Sequence, residues 1–258
     1  MRQLPMVSVV FIGYKRPDLL EKTVLSFLEV CDYPRARMEL ILSDDGSPAE
    51  MVERMKQLPF DKHVLSDRNY GLGHNSNKGL KAATGDYIFH LQDDWLCRGP
   101  GDFLRKGILV LEEYSDVGMV RFHDYWDPSI CEERHTSTGE TIYLHRNKLV
   151  SGPQEYGYSD RPHLKRRSFH ERFGYYIDGA NVSVTEVDFC RRFESQQEVR
   201  TCYISGPEVL EHIGDAEYSY NPGHRLDAWR TLLLRNPATR IPFRLFLAVR
   251  HGLRKFRA

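Results

Sequence analysis

Residues 7–12 form an unbroken β-branched and aromatic run that stops at Gly13. That pattern predicts a strand buried on both faces, as in a parallel sheet. From Pro17 the period changes: Leu19, Leu20, Val24, Phe27 and Leu28 recur at helical spacing, and proline suits a first helical turn. Residues 38–42 then read as a second strand, 51–58 as a short helix and 63–65 as a third strand. Residues 75–83 read as a further helix closed by Gly85 at a C-terminal cap position, and 87–91 as a fourth strand. Regular alternation of strand and helix predicts βαβ units and a mostly parallel sheet. Ligands of such sheets bind beyond the carboxyl ends of the strands. Those ends carry Gly13-Tyr14-Lys15-Arg16, Asp44-Asp45-Gly46-Ser47 and Asp93-Asp94, which the topology would turn toward one crevice.

Past Cys97 the pattern loosens. Residues 103–114 are helical in period and 118–122 strand-like, whereas 123–165 are rich in turn formers, aromatics and histidine. Helix and strand signals return over 166–214. A boundary is therefore expected near residue 98, with both parts sharing one sheet. The formal net charge of zero gives no reason to expect nucleic-acid binding, but it hides an asymmetry. After Asp227 there is no acid, while Arg230, Arg235, Arg240, Arg244, Arg250, Arg254, Lys255 and Arg257 are basic, so the tail carries +8 and residues 1–227 carry −8. The tail mixes those charges with Ile241, Phe243, Leu245, Phe246, Leu247, Val249, Leu253 and Phe256. It reads either as an amphipathic helix on an anionic membrane surface or as a terminal helix packed on the body.

The five cysteines are far apart and form no CxxC pair, so neither a disulfide framework nor a thiolate zinc site is expected. No secretory leader and no apolar run of about 18 residues is legible. The expected location is the cytoplasm, with peripheral contact at the inner membrane face through the tail.

Asp93-Asp94 after a buried strand has two readings. One is a solvated turn. The other is half of a site for Mg²⁺ or Mn²⁺, hard cations that take oxygen ligands and keep substrate phosphates. Asp44 and Asp45 divide likewise between a turn and hydrogen bonding to a nucleoside. At this point the segments SVVFIGYKRPDLLEKTVLSFL, LILSDDGS and DRNYGLGHNSNKGLKAATGDYIFHLQDDW, in that order, resemble glycosyltransferase family 2.

The resemblance implies a GT-A, Rossmann-like α/β fold. Its mixed, mostly parallel sheet is flanked by helices, with a smaller acceptor-side region and a C-terminal helical tail. It implies a nucleotide-sugar donor half over residues 1–97, an acceptor and catalytic half over 98–227, and the basic tail over 228–258. Gly13, Tyr14, Arg16, Asp44, Asp45, Asn69, Gly73, Asn77 and Asp93 fall at donor-binding positions, the glycines letting backbone approach the nucleotide. Asp94 falls at the metal position of a DxD-type motif whose first place holds Gln92, and His212 at a second metal position. Glu186 stands at the place of the general base, where the family more often has aspartate after a glutamate that is here Thr185. The implied activity is inverting transfer from a nucleotide diphosphate sugar, with UDP the expected nucleotide and Mn²⁺ or Mg²⁺ the cofactor. The implied acceptor is a glycan or lipid-linked hydroxyl in cell-surface glycan synthesis. A silent glycan-binding module and a sugar nucleotidyltransferase are the rival readings.

Overall fold

The computed structural model describes residues 3–122, 128, 131–145, 158–180, 182–196 and 198–214. The strand predicted at the start is β1, Val7–Gly13, and all seven of its residues are buried. Its side chains alternate between two cores, as a pleated strand requires. Val7, Val9 and Phe11 enter one core, and Val10 and Ile12 the other. Pro17 opens α1, Pro17–Val30, whose buried Leu20, Val24 and Phe27 lie along one face. Phe27 meets Phe11 edge-on at 5.9 Å and stacks on Phe89 at the same distance. Burying such rings contributes about 1.5–3 kcal/mol each.

The remaining elements follow in chain order. They are β2 (Met38–Asp44), α2 (Ala49–Lys56), β3 (Lys62–Leu65), α3 (Leu72–Ala82), β4 (Tyr87–Gln92) and β5 (Trp95–Cys97). Then come α4 (Phe103–Glu113), β6 (Val117–Arg121), β7 (Cys131–His135), β8 (Thr141–His145) and β9 (His163–Arg166). The described chain closes with α5 (Phe169–Phe173), α6 (Val182–Glu194), β10 (Arg200–Ile204) and β11 (Leu210–His212). Nine strands form one sheet in the order β3-β2-β1-β4-β9-β6-β10-β8-β7, and β11 pairs with β5 in a second, two-stranded sheet. Only β9 and β8 run against the other seven strands, so the sheet is mixed but mostly parallel. The sheet continues past residue 98, from the four parallel strands into the mixed part.

One expected cap is corrected. The helix α3 ends at Ala82 with Ala83 extended, and Gly85 does not cap it. A side chain at Gly85 would meet the Ser8 backbone nitrogen at 2.7 Å, so that glycine serves close packing against β1. The five cysteines are buried free thiols. No helix among the described residues is long and apolar enough to cross a membrane. Contacts divide the chain into Met1–Ile213 and Gly214–Ala258. The tail expected to form an amphipathic helix lies outside the described residues.

Candidate active site

Parallel register brings the three expected strand ends to one edge. Gly13 lies beside Asp44 across β1 and β2, and Ile12 beside Gln92 across β1 and β4. Lys15, at φ 58°, turns the chain between β1 and α1. The turn aims the Tyr14 N–H at Asp93 Oδ2, 3.2 Å away. The Arg16 guanidinium then spans both acids, 2.9 Å from Asp93 Oδ1 and 2.9 Å from Asp94 Oδ2. From α1, the Thr23 hydroxyl donates to the Asp93 carbonyl at 2.9 Å and accepts the Trp95 N–H at 3.1 Å, which pins the acid-bearing backbone.

The two carboxyls are shifted in opposite directions. Burial first, and then the neighbouring Asp94, push Asp93 up to about 7 against the pull of Arg16. Burial raises Asp94 as well, but the hydrogen bond with His212 and the Arg16 charge outweigh it and hold Asp94 below the usual carboxylate value. Asp94 is thus the ionised member of the pair.

His212 comes from β11, which pairs it opposite Trp95 of β5. Its Nε2 is 3.4 Å from Asp94 Oδ2, its ring is 4.7 Å from the Trp95 ring, and the next N–H, of Ile213, donates to the Asp94 carbonyl at 2.9 Å. Asp94 Oδ1 is buried without a hydrogen-bond partner. Among the described residues no three His, Cys, Asp or Glu side chains converge as a metal cage. A buried carboxylate with an unspent oxygen beside one imidazole suits a divalent cation whose other ligands are waters and substrate phosphates. In that sense Asp94 and His212 fit Mn²⁺ or Mg²⁺.

The other acidic pair is spent on architecture. Asp44 accepts from the N–H groups of Gly46 (3.1 Å) and Ser47 (2.8 Å) and from the Ser47 hydroxyl (2.5 Å). Ser47 Oγ in turn accepts the Lys15 N–H at 2.8 Å. Asp45 accepts from Tyr70 N–H at 3.1 Å and Gly71 N–H at 2.8 Å, tying β2 to the loop before α3. These carboxylates shape the loop walls at the strand end where nucleoside contacts are expected. The Gly13 carbonyl likewise receives Asn75 Nδ2 at 3.0 Å and the Asp45 N–H at 3.3 Å.

Asn69 is exposed on that loop. Gly73 is also required by packing within the protein. A side chain there would meet the Ile177 carbonyl oxygen at 2.1 Å, so the close neighbour is the protein's own backbone. Asn77 shares that role, its Nδ2 donating to the Tyr176 carbonyl (2.9 Å) and Asp178 (2.8 Å) while its Oδ1 accepts the Tyr176 N–H (2.9 Å).

Glu186 is half-buried on α6, and its charge acts on the buried Asp160 carboxyl. Asp160 Oδ2 accepts from Gln92 Nε2 at 3.0 Å, and Gln92 Oε1 accepts from Trp95 Nε1 at 3.3 Å. Asp160 is thereby joined to the segment that carries Asp93 and Asp94. Sequence reasoning missed Asp160, which stands in a turn-rich stretch with no periodicity. Its place follows from the antiparallel register of β9 with β4, His90 beside His163, which carries residue 160 past the end of β4.

Comparisons with known proteins agree with this arrangement. Residues 8–174 match the glycosyl transferase family 2 profile. An undecaprenyl-phosphate 4-deoxy-4-formamido-L-arabinose transferase of Proteus mirabilis is 34% identical over 125 residues, 45% of this chain and 36% of that protein. A GalNAc(5)-diNAcBac-PP-undecaprenol β-1,3-glucosyltransferase of Campylobacter jejuni is 34% identical over 97 residues, 35% of this chain and 30% of the relative. The matched stretch thus spans about a third of these relatives' own length. Among solved structures, S. aureus TarS 1–349 in complex with UDP-GlcNAc superposes with a TM-score of 0.60 at 14% identity, over 92% of this chain and 69% of that one. The mannosyltransferase PcManGT from Pyrobaculum calidifontis, in complex with GDP-Man and Mn²⁺, gives 0.56 at 18% identity, over 97% and 76%. At such identities the likeness establishes the fold. With the profile covering more than half of the chain across the strand ends just described, the protein belongs to glycosyl transferase family 2.

Proposed function

We propose that this protein transfers a sugar, with inversion, from a nucleotide diphosphate donor to an acceptor hydroxyl. The observation that carries the reading is a carboxylate with an unspent oxygen, Asp94, at the end of the strand whose Gln92 bonds the buried Asp160, with the half-buried Glu186 acting electrostatically on Asp160. Asp94 suits a leaving diphosphate with its cation, and Glu186 suits an attacking hydroxyl.

The nucleoside lies against the walls formed by residues 13–16, 44–47 and 69–73, whose backbones Asp44 and Asp45 fix. Arg16 supplies a positive charge at the diphosphate. Asp94 and His212 hold Mn²⁺ or Mg²⁺, which when bound neutralises charge on the departing diphosphate. Glu186 accepts the proton of the acceptor hydroxyl as its oxygen attacks the anomeric carbon. UDP is the nucleotide of this reading, and the acceptor is lipid-linked, as the undecaprenyl names of the relatives support.

Thermal melting with UDP, GDP and dTDP, with and without Mn²⁺, tests the donor site. A ligand that binds only the native state raises the melting temperature by mass action. The expected result is stabilisation by UDP that requires Mn²⁺ and disappears in Asp94→Ala. No shift with any nucleotide in a folded protein would overturn the reading in favour of a silent glycan-binding module.

A further inference from the structure

The turn that carries Asp94 leads from β4 into the short strand β5, which among the described residues pairs along one side only, with β11. The open side of such a strand presents main-chain N–H groups that need partners when buried. Here the partners are two hydroxyls of α1, three residues apart on that helix. Thr23 Oγ1 accepts the Trp95 N–H at 3.1 Å and donates to the Asp93 carbonyl at 2.9 Å. Ser26 Oγ accepts the Cys97 N–H at 3.1 Å and donates to the Thr23 carbonyl at 3.1 Å. Threonine and serine are indifferent helix formers, so these bonds, and not propensity, account for their place inside α1.

Thr23 grips the two peptide groups that flank Asp94. The Asp93 carbonyl belongs to the peptide before that residue and the Trp95 N–H to the one after it. One hydroxyl therefore restrains both backbone angles of Asp94. Both hydrogen bonds are buried, and Thr23 has no exposed surface. The Asp94 carbonyl in turn accepts the Ile213 N–H at 2.9 Å. Antiparallel pairing then sets Trp95 opposite His212, and the Arg98 N–H extends the ribbon to the Val209 carbonyl at 2.8 Å. So α1 holds β5, and β5 holds the strand whose His212 lies 3.4 Å from Asp94.

We propose that Thr23 is a positioning residue of the cation site: its hydroxyl sets the backbone of Asp94 and, through β5, the place of His212. Ser26 is the second anchor of the same strand. The inference rests on reading Asp94 and His212 as the holders of a divalent cation. Thr23 bonds main chain in both directions, so it acts through those two residues and not on the cation itself.

Valine has the shape of threonine without the hydroxyl, and serine keeps the hydroxyl without the methyl group. Wild type, Thr23→Val and Thr23→Ser are first compared by amide hydrogen exchange, without metal or nucleotide. Thr23→Val should speed exchange across residues 94–98 and also across 209–213, while Thr23→Ser should match wild type in both. Faster exchange confined to α1, or unchanged protection of 209–213, would overturn the proposal. Should Thr23→Val not fold, Ser26→Ala carries the same comparison, because it removes the anchor of the Cys97 N–H.

Mn²⁺ affinity is then read with UDP present, from the electron paramagnetic resonance signal of free Mn²⁺ against a blank of UDP without protein. Thr23→Val should weaken Mn²⁺ binding about tenfold, and Thr23→Ser should restore it. Val24→Ala, at an equally buried neighbour in α1, is the control for lost stability: it should melt earlier and bind Mn²⁺ like wild type. Turnover is read as release of UDP from UDP-N-acetylglucosamine with water as acceptor. Thr23→Val should need more Mn²⁺ for its half-maximal rate yet reach a near-normal kcat at saturation. A valine variant that is only less stable, or a serine variant as weak as valine, would overturn the positioning role. Failure of the parent reading has a separate signature, an Asp94→Ala variant that binds Mn²⁺ like wild type.

Discussion

Asp44-Asp45 at the end of β2 and Asp93-Asp94 after β4 are the same dipeptide at the ends of the two strands that flank β1 in one sheet, and all four residues are buried. Burial therefore does not tell them apart; their hydrogen-bond donors do. The first pair is satisfied largely by main-chain N–H groups, of Gly46, Ser47, Tyr70 and Gly71, which cannot leave without unfolding a loop. The second is held largely by side chains, Arg16 on both acids and His212 on Asp94, and one Asp94 oxygen has no donor at all. A carboxylate bonded to backbone is part of the scaffold. One bonded to a long side chain, with an oxygen unspent, can exchange its partner for a ligand.

The difference can be pressed by substitution. The largest effect is expected at Asp94: Asp94→Ala should lower nucleotide-sugar turnover at least about a hundredfold. Its melting temperature should stay near that of wild type, and a matching collapse in stability would erase the contrast. Asp45→Ala should do the reverse first, costing about 2–3 kcal/mol by stranding the Tyr70 and Gly71 N–H groups. That cost would appear as a lower urea midpoint at unchanged slope. Asp93 sharpens the comparison through pH. Its folded pKa of about 7 lies above the unfolded value of about 4, so ionised Asp93 costs stability above pH 7, and the cost fades as pH falls to 4. Asp93→Asn should gain roughly 1–2 kcal/mol at pH 8, after allowance for the altered Arg16 contact, and nothing at pH 4. Smallest of all, Ser47→Ala should cost about 0.5–1 kcal/mol in the same unfolding measurement, since it trims only the hydroxyl between Asp44 and Lys15.

Legibility in the sequence follows the range of the interactions. Strands β1, β2 and β4 announce themselves as mainly apolar runs, and parallel pairing of β1 with β2 and β4 then places their ends together. Asp93, Asp94 and Arg16 meet for that reason alone. Asp160 had no such signal, because its neighbours Gln92 and Glu186 are 68 and 26 positions away and are brought to it by an antiparallel strand and a helix. The roles of Gly73 and Asn77 were hidden in the same way. A glycine-rich stretch after a strand reads as a ligand loop, and nothing local reveals that a side chain at Gly73 would also clash with the carbonyl of Ile177. Lys165, fully buried beside His163, gives no local pattern either, since its placement depends on β9 lying between β4 and β6.

That junction between α3 and the segment before α6 bears on how the protein can be rebuilt. Gly73 has no room for a side chain against Ile177, its nearest side-chain neighbour is Thr185 of α6, and Asn77 grips Tyr176 on both edges of its amide. The chain before residue 98 and the segment before α6 thus meet in a keyed joint. Chimaeras that splice residues 1–97 of this protein onto the remainder of a relative would have to carry glycine at 73 and asparagine at 77 together with a matching 176–185 segment. Shuffling libraries with a crossover near residue 98 should therefore recover few functional recombinants unless both sides of the joint come from the same parent.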